Sequence, residues 1–417
     1  RAAGGARQVG PVTPVLERRP FTWVGRISYS LYLWHWPIVV VALSLFGPTL
    51  GRLDGPVVIA VSLIVAALSE RFVERPFRVA HSSSTRPQAS RPYRVRREFI
   101  AGGAAIALTA AFAAVPLVVM TAQIAQARDA NAVAYPGAGV FDGAQVPPGL
   151  PVLPDPRAAN HDVSLANRDH CIEHDLTAPT PDQPSTMCRY GPKDPTHHVM
   201  LVGDSHAAVL STPLADLAES EGFGLTALVR NGCPFTVVSP GSAAEAIDPC
   251  EEQNLRSREL ILREAPDTLV VTAMSPVGYE RALSWSWPSY EEAVSGYVEM
   301  LRPIADSATQ VVVVRDTPNL PFSSPDCVAG APLADVGACA IERLDLEQQP
   351  DPLVDAAATL EGVVVVDLTP HICRPESCES VEGNVLVYRD NHLTDTYART
   401  LADALRPVMT WTSSEDI

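Results

Sequence analysis

Cysteine is absent from the first 170 residues of the chain, and lysine is absent from the first 122. The same 122 residues hold 14 arginines against five acidic residues, whereas the whole chain of 417 residues has a net charge of −17. A basic start followed by an acidic remainder is typical of a membrane part joined to a soluble domain. Because the acidic part repels phosphate, we do not expect nucleic acid as a partner.

All eight cysteines lie in the acidic part, and their even number indicates disulfides in an oxidising, extracytoplasmic compartment. Pairing of sequence neighbours would close four short loops, although the sequence leaves the connectivity open. Zinc is the alternative, but the chain has no CxxC pair and no clustered histidines, so we expect no bound metal. The cysteines are Cys171, Cys188, Cys233, Cys250, Cys327, Cys339, Cys373 and Cys378.

Three apolar segments, residues 28–47, 56–73 and 99–122, approach the roughly 20 residues needed to cross a bilayer. Buried helices of a soluble domain are the alternative. Arginines precede the first segment and fill the stretch between the second and the third, whereas the loop between the first two holds only Arg52. Because basic loops stay in the cytoplasm, we expect a multi-pass protein of the cell membrane whose third span carries all later residues outside.

These segments divide the chain into five parts. Residues 123–165 are rich in Ala, Pro, Gly and Asp, which predicts an extended linker with few apolar anchors. The chain begins at Arg1 within what resembles the tail of a loop, so we expect a fragment of a longer membrane protein. The predicted parts are a membrane domain over 1–78, a basic cytoplasmic linker over 79–98, a further span over 99–122, the extracytoplasmic linker over 123–165 and a catalytic domain over 166–417.

From residue 166 onward, short β-branched runs alternate with helical patterns. The runs lack polar alternation, which is typical of strands covered on both faces. This order predicts an α/β fold with a doubly wound parallel sheet, whose ligands bind beyond the carboxyl ends of the strands. Strands are predicted at 198–203, 224–229, 268–273, 310–315 and 362–367, and helices at 206–221, 251–264, 289–307, 351–360 and 394–407.

The first predicted strand runs into the sequence GDSH, residues 203–206. It places the Ser205 hydroxyl where a strand ends and a helix begins, next to backbone N–H groups that can stabilise negative charge. A plain helix cap is the alternative interpretation. A serine nucleophile needs a base, for which His392, just ahead of the final helix, is the candidate. Asp390 is the candidate carboxylate that orients this histidine.

Further residues are predicted to bind the reacting groups. The backbone N–H groups of Ser205 and Gly232 would form an oxyanion hole, since glycine lets the backbone approach a ligand closely. An ordinary turn is the alternative, because Asn-Gly is a strong turn signal. His206 is the other candidate for the base, but adjacent side chains diverge at a helix start, so we predict that it lines the pocket or binds substrate. Asn231 is also predicted to bind substrate.

These motifs resemble the blocks of the SGNH hydrolase superfamily: GDSH at 203–206 is similar to its first block, NGCP at 231–234 to its glycine block and DNH at 390–392 to its last block. The resemblance implies a flavodoxin-like sheet of the SGNH type and the three catalytic roles given above. In the family the Asp usually stands three residues before the His, a position where this chain has Arg389. The usual oxyanion Asn after the third strand is missing from the sequence VTAMSPVGYE.

The start of the chain resembles a second family. RISYSLYLWHWPIVV at 26–40 and SERFVERPFR at 69–78 are similar to the last helices of the type 3 acyltransferases. This resemblance implies that residues 1–78 end a membrane domain that takes acyl-CoA as donor on its cytoplasmic side. The catalytic histidine of that family lies in an early helix, whereas His35 matches the late-helix signature. We therefore expect no cofactor bound by this fragment itself.

Together, the two resemblances imply a membrane-bound O-acyltransferase, with acetyl as the expected group, that modifies a cell-envelope glycan or glycolipid through an acyl-serine. Its expected partners are that acceptor and the lipid bilayer. An extracytoplasmic esterase that removes acyl groups from envelope polysaccharide is one alternative. A non-catalytic domain that only binds glycan is another, because a fold by itself does not define a function.

Overall fold

A computed structural model describes residues 18–46, 54–75, 110, 114–173, 187–241, 249–331, 336–343, 349–409 and 411. The chain divides into two compact units, Arg1–Ala122 and Gln123–Ile417. Within the first unit, helix α1 covers Arg19–Phe46, and helix α2 covers Asp54–Ser69 before continuing as a π-helical turn over Glu70–Glu74. Residues 114–128 form helix α3.

The two signature segments of the first unit contact each other. The Arg26 guanidinium lies 3.6 Å from the Glu70 carboxylate, and the Ser30 hydroxyl donates a hydrogen bond to the Glu74 carboxylate. Among the described residues, one helix, Asp54–Glu74, is long and apolar enough to cross a membrane. Most of the third predicted span lies outside the described residues, so the prediction of three spans stays a prediction.

The second unit is built on a mostly parallel sheet, which confirms the predicted α/β class. Five of its six described parallel strands lie in the order β4, β3, β5, β6, β8, so in chain order these five stand 2-1-3-4-5, the flavodoxin-like arrangement. Two short strands, β1 and β2, pair with the outer edge of β4, so the described sheet has seven strands. The strands are β1 Ile172–Glu173, β2 Cys188–Tyr190, β3 His198–Gly203, β4 Gly224–Arg230, β5 Thr268–Thr272, β6 Gln310–Val314 and β8 Val364–Val366.

Helices cover both faces of this sheet because its central strands are apolar on both sides. Alternate residues of one strand belong to different cores: Leu201 packs on one face, and Met200 and Val202 on the other. Of the helices below, α6, α12 and α13 lie on the first face, and α7, α9 and α11 on the second. The helices are α4 Leu165–Arg168, α5 Ser205–Val209, α6 Ser211–Glu221, α7 Pro249–Glu264, α8 Pro276–Leu283, α9 Tyr290–Ala305, α10 Ser324–Gly330, α11 Pro352–Ala357, α12 Asp395–Arg399 and α13 Ala402–Leu405.

Helix lengths differ from the sequence prediction at two places. The helix predicted over 206–221 is interrupted at Leu210, which separates α5 from α6. The final predicted helix over 394–407 consists of α12, α13 and a 3-10 turn over Arg406–Val408. The sequence prediction also missed β1, β2 and four short strands outside the main sheet. These are β7 Ala340–Glu342, β9 Ser377–Glu379, β10 Val381–Glu382 and β11 Val385–Leu386, paired β7 with β9 and β10 with β11.

Four disulfides join the cysteines as sequence neighbours, which confirms the disulfide prediction. The bonds are Cys171–Cys188, Cys233–Cys250, Cys327–Cys339 and Cys373–Cys378. The first bond joins the start of β1 to the start of β2, which share the same edge of β4. A covalent link there ties down two strands that are too short to be stable by pairing alone.

Residues 123–165 belong to the second unit and differ from the extended linker that composition predicted. The Leu153 N–H donates to the Asn384 carbonyl, and the Ala138 N–H donates to the Thr400 hydroxyl. Ala138 and Leu153 are themselves buried. Small alanine side chains provide anchors here because they fit against the domain without large apolar groups. Where each domain begins and ends stays a prediction.

Candidate active site

Ser205 stands where β3 ends and α5 begins. Its strand lies between β4 and β5, the point at which the strand order reverses and where ligands of doubly wound sheets bind. The turn needs Gly203, whose φ is +136° and whose position leaves no room for a Cβ against the Thr272 carbonyl oxygen. The glycine of the GDSH sequence is therefore required by the close approach of two strands.

Asp204 is a structural residue of this turn. Its carboxylate caps α5 by accepting a hydrogen bond from the His206 N–H at 2.8 Å. The other carboxylate oxygen accepts bonds from the Met274 N–H at 2.8 Å and the Tyr279 hydroxyl at 2.6 Å. The side chain is fully buried, so these three donors compensate for the loss of water. Asp204 thereby fixes the start of the helix against the end of β5.

The structure brings together the three residues predicted to carry the chemistry. The Nε2 atom of His392 lies 2.8 Å from the Ser205 hydroxyl oxygen, although 187 residues separate the two in sequence. On the other side of the ring, Nδ1 lies 2.7 Å from an Asp390 carboxylate oxygen. This continuous serine–imidazole–carboxylate chain has the geometry of a nucleophile, a base and an orienting group.

A tight turn explains how Asp390 works from two residues before the histidine. The Arg389 N–H donates to the His392 carbonyl at 3.0 Å, and the His392 N–H donates to the Asp390 carboxylate at 2.8 Å. Tyr388 and Leu393 form an antiparallel bridge that closes the turn. Arg389, at the position where the SGNH hydrolases have their Asp, donates to the other Asp390 oxygen at 3.0 Å.

The surroundings of His392 and Asp390 shift their pKa values in the directions that a general base and its orienting carboxylate require. Burial is the main cause of the lowered pKa of His392, and the positive charges of His206 and Arg389 add to it against the effect of Asp390. Partial burial works to raise the pKa of Asp390, but its bond to His392 and the charge of Arg389 lower it to about 2. Near neutral pH the imidazole is therefore free to accept the serine proton, and the carboxylate is ionised.

Comparison with known proteins identifies the second unit. Residues 170–407 match the family described as "SGNH domain (fused to AT3 domains)". The chain belongs to this family. Ser205, His392 and Asp390 all lie within the matched SGNH domain, as does every strand of the main sheet.

Curated relatives match a smaller part of the chain. Peptidoglycan O-acetyltransferase OatA of Listeria monocytogenes is 34% identical over 70 residues, which are 16% of this chain and 11% of that protein. YrhL of Bacillus subtilis strain 168 is 36% identical over 67 residues, 15% of this chain and 10% of that protein. The chain thus spans about a tenth of the length of these relatives.

Among solved structures, the chain is similar to the periplasmic domain of a lipopolysaccharide acetyltransferase from Salmonella ser. Paratyphi A. The match covers 52% of this chain and 85% of that domain, with a TM-score of 0.39 and 14% sequence identity.

The two predicted residues of the glycine block lie in the turn after β4 of the SGNH domain. Gly232 has a φ of +67°, and the Trp285 ring lies against it. Since β4 neighbours β3, this turn stands at the same edge of the sheet as Ser205. The roles of Gly232 as oxyanion donor and of Asn231 in substrate binding stay predictions, as does the oxyanion role of the Ser205 N–H.

His206 lies in surroundings that the sequence did not reveal. Its ring is buried, and its Nδ1 lies 2.5 Å from the carboxylate of Asp316, a residue just beyond β6 that was not singled out. Its Nε2 lies 3.4 Å from the side-chain amide of Asn391, which was also missed. The only local signal for Asp316 is a carboxylate that directly follows a strand predicted to be buried. The predicted contact of His206 with substrate stays a prediction.

Proposed function

We propose that this chain carries out the transfer step of a membrane-bound O-acyltransferase, with acetyl as the group and a cell-envelope glycan or glycolipid as the acceptor. The observation that carries the proposal is the unbroken hydrogen-bond chain from the Ser205 hydroxyl through His392 to Asp390. Family membership and the names of two curated relatives, a peptidoglycan O-acetyltransferase and a putative one, support an envelope acceptor.

The geometry supports acyl transfer in two half-reactions. First, His392 Nε2 takes the Ser205 proton while the serine oxygen bonds to the carbonyl carbon of the donor ester or thioester. The tetrahedral intermediate collapses, and the leaving group departs with the proton from His392. Next, His392 takes the proton of a sugar hydroxyl as that oxygen attacks the acyl-serine, and the released Ser205 oxygen regains the proton. The product is an ester of the glycan, and the enzyme is unchanged.

The first unit would bring the acyl group to this site. In the proposed arrangement, α1, α2 and a third span lie in the cell membrane, and acyl-CoA donates the group from the cytoplasmic side. The exposed apolar and aromatic side chains of α1 and α2, such as Tyr32, Trp36 and Ile59, support a lipid environment. The four disulfides support an extracytoplasmic location for the SGNH domain.

Labelling by a fluorophosphonate probe tests the nucleophile. We expect the full chain to be labelled at Ser205, and we expect Ser205→Ala to abolish labelling. Ser220→Ala is the matched control, because Ser220 lies on the exposed side of the next helix and should leave labelling unchanged. Failure of the probe to label the folded wild-type chain would contradict the proposal and favour a domain that only binds glycan.

A second measurement separates transfer from hydrolysis. In cells that carry the full-length protein, Ser205→Ala should remove O-acetyl groups from the envelope glycan, whereas Ser220→Ala should not. An esterase would give the opposite sign, with more acetyl groups on the glycan of the Ser205→Ala cells. Unchanged acetylation in the Ser205→Ala cells would overturn both the transferase and the esterase hypothesis.

A further inference from the structure

A second histidine–carboxylate pair lies beside the proposed catalytic one. Asp316 is buried, with 3% of its side chain exposed, and its carboxylate accepts hydrogen bonds from the Ser275 N–H at 2.6 Å and the Thr317 N–H at 2.8 Å. Its remaining contact is with His206 Nδ1. These backbone donors hold the carboxylate in place, so the side chain can bind and orient the His206 ring.

The two histidines use the same ring nitrogen to contact their carboxylates. In each, Nδ1 of the imidazole faces a carboxylate, and Nε2 points away from it. The centroids of the His206 and His392 rings are 4.8 Å apart, with an angle of 49° between their planes. On its outward side, His206 adjoins the Asn391 amide, one residue before His392. His206 therefore contacts both the ring of the proposed base and the turn that carries it.

Charges around each ring favour different protonation states. His206 faces three carboxylates, those of Asp316, Asp204 and Asp390, and one other titratable ring, His392. Burial alone would lower the pKa of His206, but the carboxylates outweigh it and raise the pKa above its ordinary value. His392 has one carboxylate partner, and the cations of His206 and Arg389 help to lower its pKa.

We propose that His206 is a positioning residue whose imidazolium, fixed by Asp316, holds the neighbouring His392 in its uncharged form. Two imidazolium rings at this distance repel each other, so the proton on His206 disfavours a second proton on His392. The proposed base then stays able to accept the Ser205 proton in mildly acid surroundings. This inference rests on the proposed function, in which His392 is that base.

The pH dependence of fluorophosphonate labelling of the full chain tests this role. His206→Gln removes the charge but keeps a side chain that can donate to Asp316, and Asp316→Asn removes the partner that stabilises the imidazolium. For both variants we expect the acid limb of the labelling rate to move to higher pH. The rate at pH 5 relative to that at pH 8 of the same variant should fall by about three- to tenfold compared with the wild type.

His198→Gln is the matched control. His198 lies at the opposite end of β3, with its Nε2 2.7 Å from the Thr226 hydroxyl, and its loss should leave the acid limb in place. A drop by the same factor at every pH in His206→Gln would reduce His206 to a packing role and overturn the proposal. An unchanged profile would overturn it as well.

A measurement on the wild-type chain tests the inference even if the variants fail to fold. In ¹⁵N-histidine NMR spectra of the full chain, we expect His206 to carry protons on both ring nitrogens at pH 7 and His392 to carry one. A neutral His206 at pH 7 would contradict the inference. Absence of labelling in the wild type would instead contradict the proposed function, so the two failures are distinguishable.

Discussion

The two histidine–carboxylate pairs share their geometry and differ in how the fold makes them. Asp390 and His392 are two residues apart on one turn, and 41% of the Asp390 side chain is exposed. Asp316 and His206 are 110 residues apart, follow different strands and are almost fully buried. Burial lowers the pKa of His392 despite Asp390, whereas the carboxylates around His206 raise the pKa of that histidine despite its burial.

This difference shows that a carboxylate partner does not by itself set the proton affinity of a histidine. Burial works to lower the pKa of His206, but the carboxylates of Asp316, Asp204 and Asp390 together raise it. The pKa of His392 is lowered chiefly by burial, and the charges of His206 and Arg389 add to this effect. The surroundings therefore shift the pKa values of the two histidines in opposite directions.

The largest expected effect distinguishes the two rings directly. His392→Ala removes the group that accepts the serine proton, so the labelling rate at pH 8 should fall by roughly 10⁴-fold. Since His206 is not proposed to touch the reacting atoms, His206→Gln should lower the labelling rate at pH 8 far less. Fluorophosphonate kinetics of both variants check this order, and equal losses would remove the distinction between the pairs.

The two carboxylates should differ in the same way. Asp390→Asn leaves His392 without its orienting charge, and we expect a loss of about 10²–10⁴-fold in the labelling rate at pH 8. Water can replace part of this interaction because Asp390 is partly exposed, which places the loss below that of His392→Ala. Asp316→Asn should act mainly at acid pH, and a larger loss at pH 8 than for Asp390→Asn would contradict this comparison.

Both pairs depend on the glycine that lets β3 approach β5. A Cβ at position 203 would collide with the backbone of Thr272, so Gly203→Ala should lower the free energy of unfolding by about 3 kcal/mol or more. The matched control is Gly222→Ala, since Gly222 also has a positive φ, +82°, but open space around it. The control should cost only about 1 kcal/mol, as measured by denaturant unfolding of the full chain.

Asp351 offers the smallest expected effect and concerns the surroundings of the buried pair. It accepts a hydrogen bond from the Asp316 N–H, and burial, together with the charge of Asp316, raises the pKa of Asp351 to about 6. Between about pH 4 and pH 6 the folded chain keeps a proton that the unfolded chain has lost, so the free energy of unfolding falls as pH rises. Asp351→Asn should flatten this part of the stability–pH curve, and an unchanged slope would show that Asp351 ionises normally in the fold.

Local sequence patterns predicted much of the domain. The strand predicted over 198–203 has the same bounds as β3, because a run of buried β-branched and apolar residues followed by Gly203 allows little else. The disulfides agree with pairing of neighbours, since short loops bring such cysteines together. The short edge strands and the contacts of residues 123–165 were missed, because their stability comes from distant partners such as Asn384.

In the candidate site, too, local features were predictable from the sequence and contacts between distant residues were not. The sequence by itself determined that a serine follows a buried strand and that Asp390 stands within a turn's reach of His392, because both depend on residues close together in the chain. Only the tertiary structure decided that Ser205 meets His392 and that His206 meets Asp316. Those contacts depend on the 2-1-3-4-5 strand order, which results from packing between distant segments and leaves no periodic pattern in the sequence.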